Sequence, residues 1–399
     1  MIQTNKSVLT INAGSSSIKF ALYDVGHTLK QSVKGEMENI GMKGTKLTFS
    51  NDASNRSHNV KVEASDHTAA IEFLIGWLEK LDGFTAIKAI GHRVVFGMNH
   101  TDPEVLTPEL LKELKEISAF DPDHLPEEIK LIEAFQKYLP EIIQVACFDT
   151  SFHTTMPQVA KSIAIPRRFT EKGIQRYGFH GLSYGYLVGQ LYLEEWNLTA
   201  RDRVILAHLG SGASLAAVKN GKSIDTSMGF SPAAGIPMGT RTGDMDPGVA
   251  WYLMKTQKLT PNQFNHMVNH ESGLLGISET SSDMRELLKS QKHDKRAAEA
   301  VELFCYETKK RIGSFATVLG GLDTLVFSGG IGERSAEIRK RVCQGLNFLG
   351  IELDDKKNVL NETVISSGLS LVNVLVIPTN EELMIATSVC GILKYHIKH

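Results

Sequence analysis

The sequence predicts an α/β fold made of two related halves. Short apolar runs rich in β-formers (VLTIN, IKFALY, IKAIGHRVV, IIQVACF, VILAHL, TLVFSG and NVLVIP) alternate with longer stretches of helical periodicity. The internal repeat is weaker but more informative. VLTINAGSSSIKFALYD near the start and VILAHLGSGASLAAVKNGKSID from Val204 share one design: apolar strand, small-residue turn, apolar strand.

Taken in order, VLTIN and IKFALY form a hairpin whose tip is AGSSS. The polar stretch 46–66 reads as strands and turns within the first half rather than as a linker. A helix follows, with Asp66 as its N-cap and Gly83 as its stop, and another begins with Thr107 as cap and Pro108 in the first helical position. Their apolar residues recur at helical spacing, so both should pack on a sheet. In the second half, Asn220-Gly221 is the turn of a hairpin that continues the repeated strand pair. TLVFSG leads through FSGGIGER into a basic helical run. No low-complexity tract or long flexible linker interrupts the chain.

A chain of 399 residues is long enough for two domains, each with its own core. Its 43 basic and 45 acidic residues nearly cancel, so no strong field draws it to nucleic acid or to an anionic membrane. Small solutes are the expected partners. Cys147, Cys305, Cys343 and Cys390 stand far apart with no CxxC pair, which argues against a disulfide framework or a zinc knuckle. For such scattered cysteines a reducing cytoplasm fits best, and no apolar stretch of signal-peptide length precedes the serines. LVNVLVI at 371–377 is far shorter than the roughly 20 residues that span a bilayer.

Either hairpin tip alone reads as an ordinary glycine-serine turn. Their recurrence at equivalent places in two halves points instead to a pair of donor-rich tips holding nucleotide phosphates. NGKS at 220–223 imitates the end of a Walker A loop, but Ala216 stands where that loop needs glycine, and the segment lies in a hairpin. GSGASL at 210–215 has leucine where a dinucleotide fingerprint wants its last glycine. In FSGGIGER, three glycines within four residues exceed what a tight turn needs and point to close ligand approach at a helix N-terminus. Three glycine-rich loops after strands are what a nucleotide cleft between domains requires. Arg93 (in AIGHRVVFG) and Arg241 (in PMGTRTGDMDPG) are both glycine-flanked; for Arg241 an ion pair with Asp244 is the structural alternative. His180 lies among aromatics and glycines in QRYGFHGLSY, where a structural role competes with a catalytic one.

INAGSSSIKF, GHRVVFG, FDTSFH, RYGFHGLS, HLGSG, DTSMGF, MGTRTGDMDPG, SGLLGIS followed by SSDMR, FSGGIGER and PTNEELMIA occur in the order found in acetate kinases. The chain resembles that family from about Val8 to about Ala386. The resemblance implies two duplicated actin-like ATPase domains, 1–150 completed by the C-terminal helix at about 385–399, and 151–384, with an interdomain nucleotide cleft. It implies reversible transfer of the γ-phosphoryl of ATP to acetate, giving acetyl phosphate and ADP, with Mg²⁺ (or Mn²⁺), in a homodimer. Carried over motif by motif, Asn12 and Glu381 belong to the metal site. Lys19, His208, Leu209, Gly210, Ser211 and Gly212 lie near the phosphates. Asp283, Met284, Arg285, Gly330, Ile331, Gly332, Glu333 and Arg334 contact the nucleoside side. Arg93, Val95, Phe179 and Pro232 hold the acid, and Asp149, His180 and Arg241 are catalytic.

The chemistry asks for such residues. A carboxylate attacking ATP is anion meeting anion, so cations must neutralise both. Arginine's planar fork binds carboxylate or phosphoryl oxygens two at a time. An acid with a pKa of roughly 4–5 is already ionised at neutral pH and needs no general base. Asp149 is therefore expected to orient an arginine or a metal-bound water, and His180 to hydrogen-bond an equatorial phosphoryl oxygen. Thr379 followed by Glu382 reads as a capping box, which leaves Glu381 for the metal.

Four departures from the family pattern bear on substrate and activity: Ser211 replaces asparagine, Arg334 replaces asparagine, Tyr184 replaces histidine, and DPDHLP at 121–126 replaces APLHNP. Asp123 then occupies an apolar position of the acid pocket, where it would repel acetate and favour a hydroxylated acid, unless the loop turns it to water. The alternatives are a kinase for propionate or a hydroxylated short acid, a sugar or hydroxyl kinase, and a non-catalytic nucleotide-binding regulatory relative.

Overall fold

Each apolar run of the sequence is a strand in the computed structural model, which describes residues 6–14, 17–41, 44–51, 57–64, 66–193 and 202–397. The chain forms two units, Met1–Ser151 with Asn380–His399, and Phe152–Thr379.

The first unit has the strands β1 (Lys6–Ala13), β2 (Ser17–Val25), β3 (Leu29–Glu38), β4 (Lys46–Asn51), β5 (Ser57–Lys61), β6 (Ile87–Val94), β7 (Glu104–Val105) and β8 (Ile143–Phe148). They form one sheet in the order β5-β4-β3-β2-β1-β6-β8-β7. Strands β1 to β5 are an antiparallel meander, and β6 and β8 continue the sheet parallel to β1. The second unit has β9 (Arg203–Leu209), β10 (Ala213–Lys219), β11 (Lys222–Thr226), β12 (Thr324–Ser328) and β13 (Asn373–Val376), in the order β11-β10-β9-β12-β13. Here too an antiparallel hairpin series is followed by two parallel strands. The order β3-β2-β1-β6-β8 is therefore repeated as β11-β10-β9-β12-β13, which is the duplication visible in the sequence.

Local chemistry fixes the ends of elements. Thr107 caps the helix Pro108–Ile117 by accepting from the Leu110 N–H. Asn220 and Gly221 both take positive φ, 56° and 70°, as a two-residue hairpin turn requires. Asp66 caps the helix His67–Leu78, but that helix stops before Gly83: the chain turns after Leu78, and Gly83, at φ 94°, precedes a separate short 3-10 turn. The last helix, Glu381–Ile392, is capped by Asn380, whose side chain accepts from the Leu383 N–H. The expected Thr379–Glu382 capping box is absent, because the Thr379 hydroxyl is turned to Ser183 instead.

Both faces of the parallel strands are covered. In the first unit Leu9, Ile11, Phe20 and Ile90 pack with Leu74, Ile75 and Leu78 of the helix His67–Leu78. Gly91 of β6 lies under the last helix; a methyl there would meet the Ile385 side chain and come within 2.7 Å of Val389. The four cysteines are buried free thiols, and burial pushes Cys147 up to about 12. Among the described residues no helix is long and apolar enough to cross a membrane.

Candidate active site

In the first unit the carboxyl ends of β1, β6 and β8 bring three predicted residues to one edge. Parallel register sets Ile11 beside His92 and Arg93 beside Cys147, so Asn12, Arg93 and Asp149 become neighbours. Arg93 Nη2 donates to Asp149 Oδ2 at 2.7 Å, and Nη1 donates to Asn12 Oδ1 at 3.2 Å. The Asn12 amide in turn donates to Glu381 at 2.9 Å and to Glu382 at 3.3 Å. Burial alone would weaken Arg93's hold on its proton, but Asp149 and Glu381 reverse that, and its pKa lies above the ordinary arginine value. Asp149 is fully buried, so it orients a permanent cation. Burial and the adjacent Glu381 raise the carboxyl of Glu382, and the charge of exposed Lys19 partly offsets this.

Two carboxyl groups in this unit escaped the sequence reading. Glu128 is 3% exposed and accepts from the Val95 N–H at 3.0 Å; burial and nearby Asp121 push its pKa up to about 8. Asp121, also 3% exposed, is bonded to His124 Nδ1 at 2.9 Å. Val95 itself is buried, whereas Asp123 is half-buried. The fully buried carboxylate of DPDHLP is thus Asp121, and nothing short of the fold would separate it from Asp123. Ser15 and Ser16, the tip of the first hairpin, lie outside the described residues.

In the second unit β9 and β12 run parallel with His208 beside Ser328, so the turns that follow them, Leu209-Gly210 and Gly329-Gly330, are adjacent. A methyl on Gly210 would lie 4.0 Å from the Gly330 nitrogen. Gly329, at φ 74°, would drive a side chain into the Leu209 backbone, and Gly332 packs on Phe327 and Leu209. Gly329 is therefore required by the protein's own backbone, a methyl on Gly332 would make only ordinary contacts, and Gly330 faces open space, which tempers the expectation drawn from three. The Glu333 carboxylate accepts from the N–H groups of Gly329 and Thr379, pinning this turn, while Arg334 and Ser211 are exposed. Fully buried Arg339 holds the Gly332 and Glu333 carbonyls at 2.8 and 3.0 Å.

His180 and Arg241 meet over the same loop. A methyl on Gly212 would lie 3.4 Å from His180 Nε2 and 3.5 Å from Arg241 Nη1. The alternative partner for Arg241 is engaged elsewhere: Asp244 pairs with Arg311 at 2.6 Å, while Arg241 Nη1 donates to the Pro232 carbonyl at 3.5 Å. His180 has φ 60°, and it follows buried Phe179 and Gly178 at φ 76°. That turn is held by His153, a residue within FDTSFH that sequence reasoning gave no role; its Nε2 bonds the Phe179 carbonyl at 3.0 Å and its Nδ1 bonds Ser223. Asp283 caps the helix Met284–Ser290 and pairs with exposed Arg285, whereas the Met284 side chain is buried in the core.

A duplicated α/β unit with glycine turns after parallel strands, one edge carrying a carboxylate-held arginine and the other a histidine and an arginine over a glycine loop, defines a phosphotransferase of the actin-like ATPase fold. The family model of the acetokinase family matches residues 7–387. The chain is 43% identical over 389 residues to an acetate kinase of Rhodopseudomonas palustris, which covers 96% of this chain and 97% of the relative. Among solved structures it resembles the acetate kinase of Porphyromonas gingivalis (TM-score 0.85, 38% identity, 97% of this chain and 100% of that one). It also resembles a propionate kinase of Francisella tularensis (TM-score 0.89, 39% identity, 96% and 98%). The chain belongs to the acetokinase family.

Proposed function

We propose that the protein is an acetate kinase, transferring the γ-phosphoryl of ATP reversibly to acetate to give acetyl phosphate and ADP. The observation that carries this reading is Arg93, a buried guanidinium held by Asp149 and Asn12 at a strand end. It offers a fixed positive fork to an acid that is already ionised, beside buried Val95. In the second unit the backbone of 208–212 and of 330–334 receives the nucleotide, with Asp283, Met284 and Arg285 on the nucleoside side. Arg241 and His180 donate to the phosphoryl oxygens as their charge spreads. Phe179 and Pro232 contribute apolar surface for the methyl group. Asp149 keeps Arg93 charged and aimed; the nucleophile needs no base.

The Glu381 and Glu382 carboxylates, which the Asn12 amide holds together, suit a divalent ion such as Mg²⁺ (or Mn²⁺), a hard cation bound by one or two carboxylates together with water and phosphate oxygens. The mutual crowding of the two glutamates, which helps to raise Glu382, is charge that such a cation relieves. Bound there, it would supply neutralisation of the phosphate charge. Asn12 and Glu381 form its proposed site, with Glu382 beside them and the Asn12 amide holding both glutamates. A homodimer is the proposed assembly, supported by Trp251 and Tyr252, which are 62% and 55% exposed on the helix Pro247–Thr256. A cytoplasmic protein without nucleic-acid or membrane partners is consistent with the near-neutral charge.

Hydroxylamine trapping with ATP, Mg²⁺ and a panel of short carboxylates tests the reading. Acetate should give the strongest acyl hydroxamate signal. A preference for propionate or a hydroxylated acid would move the substrate assignment, and no signal with any acid would end it.

A further inference from the structure

The polar contacts behind two stacked histidines of the second unit repeat one arrangement. His180 and His208 stack with ring centroids 4.3 Å apart and planes 24° from parallel. Each has a serine on Nδ1: Ser214 Oγ lies 2.8 Å from His180 Nδ1, and Ser183 Oγ lies 2.8 Å from His208 Nδ1. Each serine has a second hydroxyl behind it. Tyr184 lies 2.5 Å from Ser214, and Thr379 donates to Ser183 at 2.8 Å. On the opposite side of each ring is a glycine of the 210–212 loop. A methyl on Gly212 would be 3.4 Å from His180 Nε2, and one on Gly210 would be 3.7 Å from His208 Nε2.

We propose that Ser214 with Tyr184, and Ser183 with Thr379, are positioning residues that hold His180 and His208 as neutral imidazoles with the proton on Nε2, facing the 210–212 loop. The direction of the hydrogen bonds follows from the donors. A phenol is a stronger donor and a weaker acceptor than an aliphatic hydroxyl, so Tyr184 donates to Ser214, whose own proton then goes to His180 Nδ1. Thr379 donates to Ser183, which leaves the Ser183 proton for His208 Nδ1. Neutral rings also avoid two stacked imidazolium cations at this separation. Both Nε2–H groups are thereby aimed where backbone and Arg241 already gather donors. Tyr184 and Ser214 are both fully buried, so the first relay is shielded from competing water. The inference deepens the reading of the 208–212 loop as a phosphate site and rests on it for its functional meaning, though not for its geometry.

The test is two-bond ¹H–¹⁵N correlation of the histidine side chains in the full-length protein, paired with steady-state kinetics. The wild type should show His180 and His208 in the Nε2–H form at neutral pH. Ser214→Ala should shift His180 toward the Nδ1–H form and lower kcat about tenfold, the worth of one net hydrogen bond, with KM for ATP little changed. Ser214→Thr, which keeps the hydroxyl, should restore both. Tyr184→Phe keeps the ring and its packing and supplies the second variant should Ser214→Ala not fold; it should move the His180 tautomer in the same direction. An Nδ1–H signal from either wild-type ring, an imidazolium pair, or an unmoved His180 signal in both variants overturns the proposal. The tautomer spectrum needs no substrate, so an absent kinase activity with the expected spectrum would sink the acetate reading and leave the lock standing.

Discussion

Arg241 and Arg93 carry the same charge and do different work. Arg241 lies over the 212 loop, while Asp244, three residues further on, is held by Arg311. Arg241→Ala should lower kcat by roughly a hundredfold or more while ADP affinity, read by calorimetry, changes little, because its charge is needed most in the transition state. Arg93→Ala strands buried Asp149 beside an empty space, so it should cost stability as well as acid affinity. On the order of 3–5 kcal/mol is typical for breaking a buried pair from one side, and Asp149→Asn in the same background should recover part of the lost melting temperature. Glu128 gives a prediction with a definite sign. Its folded pKa, about 8, lies above an ordinary value near 4.5, so the fold favours the protonated form. That contribution is full below the unfolded pKa and is lost as pH rises through 8. Glu128→Gln should therefore raise the melting temperature relative to wild type more at pH 9 than at pH 5; an equal effect at both would show the carboxyl titrating normally. The motifs made Arg93, Asp149, His180 and Arg241 legible in the sequence. Glu128, Asp121 and His153 were not, since each owes its place to burial against residues distant in sequence.

Among the elements, the parallel strand ends do the placing. Strands were readable because β-branched and apolar runs sit between turn formers, and the repeated hairpin announced the duplicated topology. Helix ends were less so. The Asp66 helix stops at Leu78, between Gly76 inside it and Gly83 beyond it, with neither glycine at its end, and the last helix takes Asn380 as its cap because Thr379 is drawn to Ser183. Such competition between a local cap and a tertiary partner is invisible along the chain. Gly91 shows the converse, a glycine whose reason is a neighbouring element. Gly91→Val should push the helix Glu381–Ile392 off β6, lowering stability by about 1–3 kcal/mol in denaturant titration. Activity should fall further than unfolding explains, since that helix carries Glu381; full activity in a folded variant would show the strand and helix to be uncoupled.

At the scale of the whole molecule, the near-neutral charge and the duplicated design were plain from composition and repeat, whereas the surface was not. The exposed aromatic side chains of the helix Pro247–Thr256 become visible only once the core is known. If they form the proposed dimer contact, Trp251→Glu should convert a dimer into a monomer in light scattering without altering the melting of the isolated fold; a monomeric wild type would remove the assembly proposal. The last helix carries one more consequence. Asn12 and Glu381 touch across 369 residues of chain, and the first unit is completed only by the segment that begins at Asn380. On a ribosome, where N-terminal parts ordinarily fold first, the second unit has its whole sequence in hand while the first still waits for its closing helix. The half that holds Arg93 is therefore begun first and finished last, and a chain released early lacks the two glutamates to which the Asn12 amide donates.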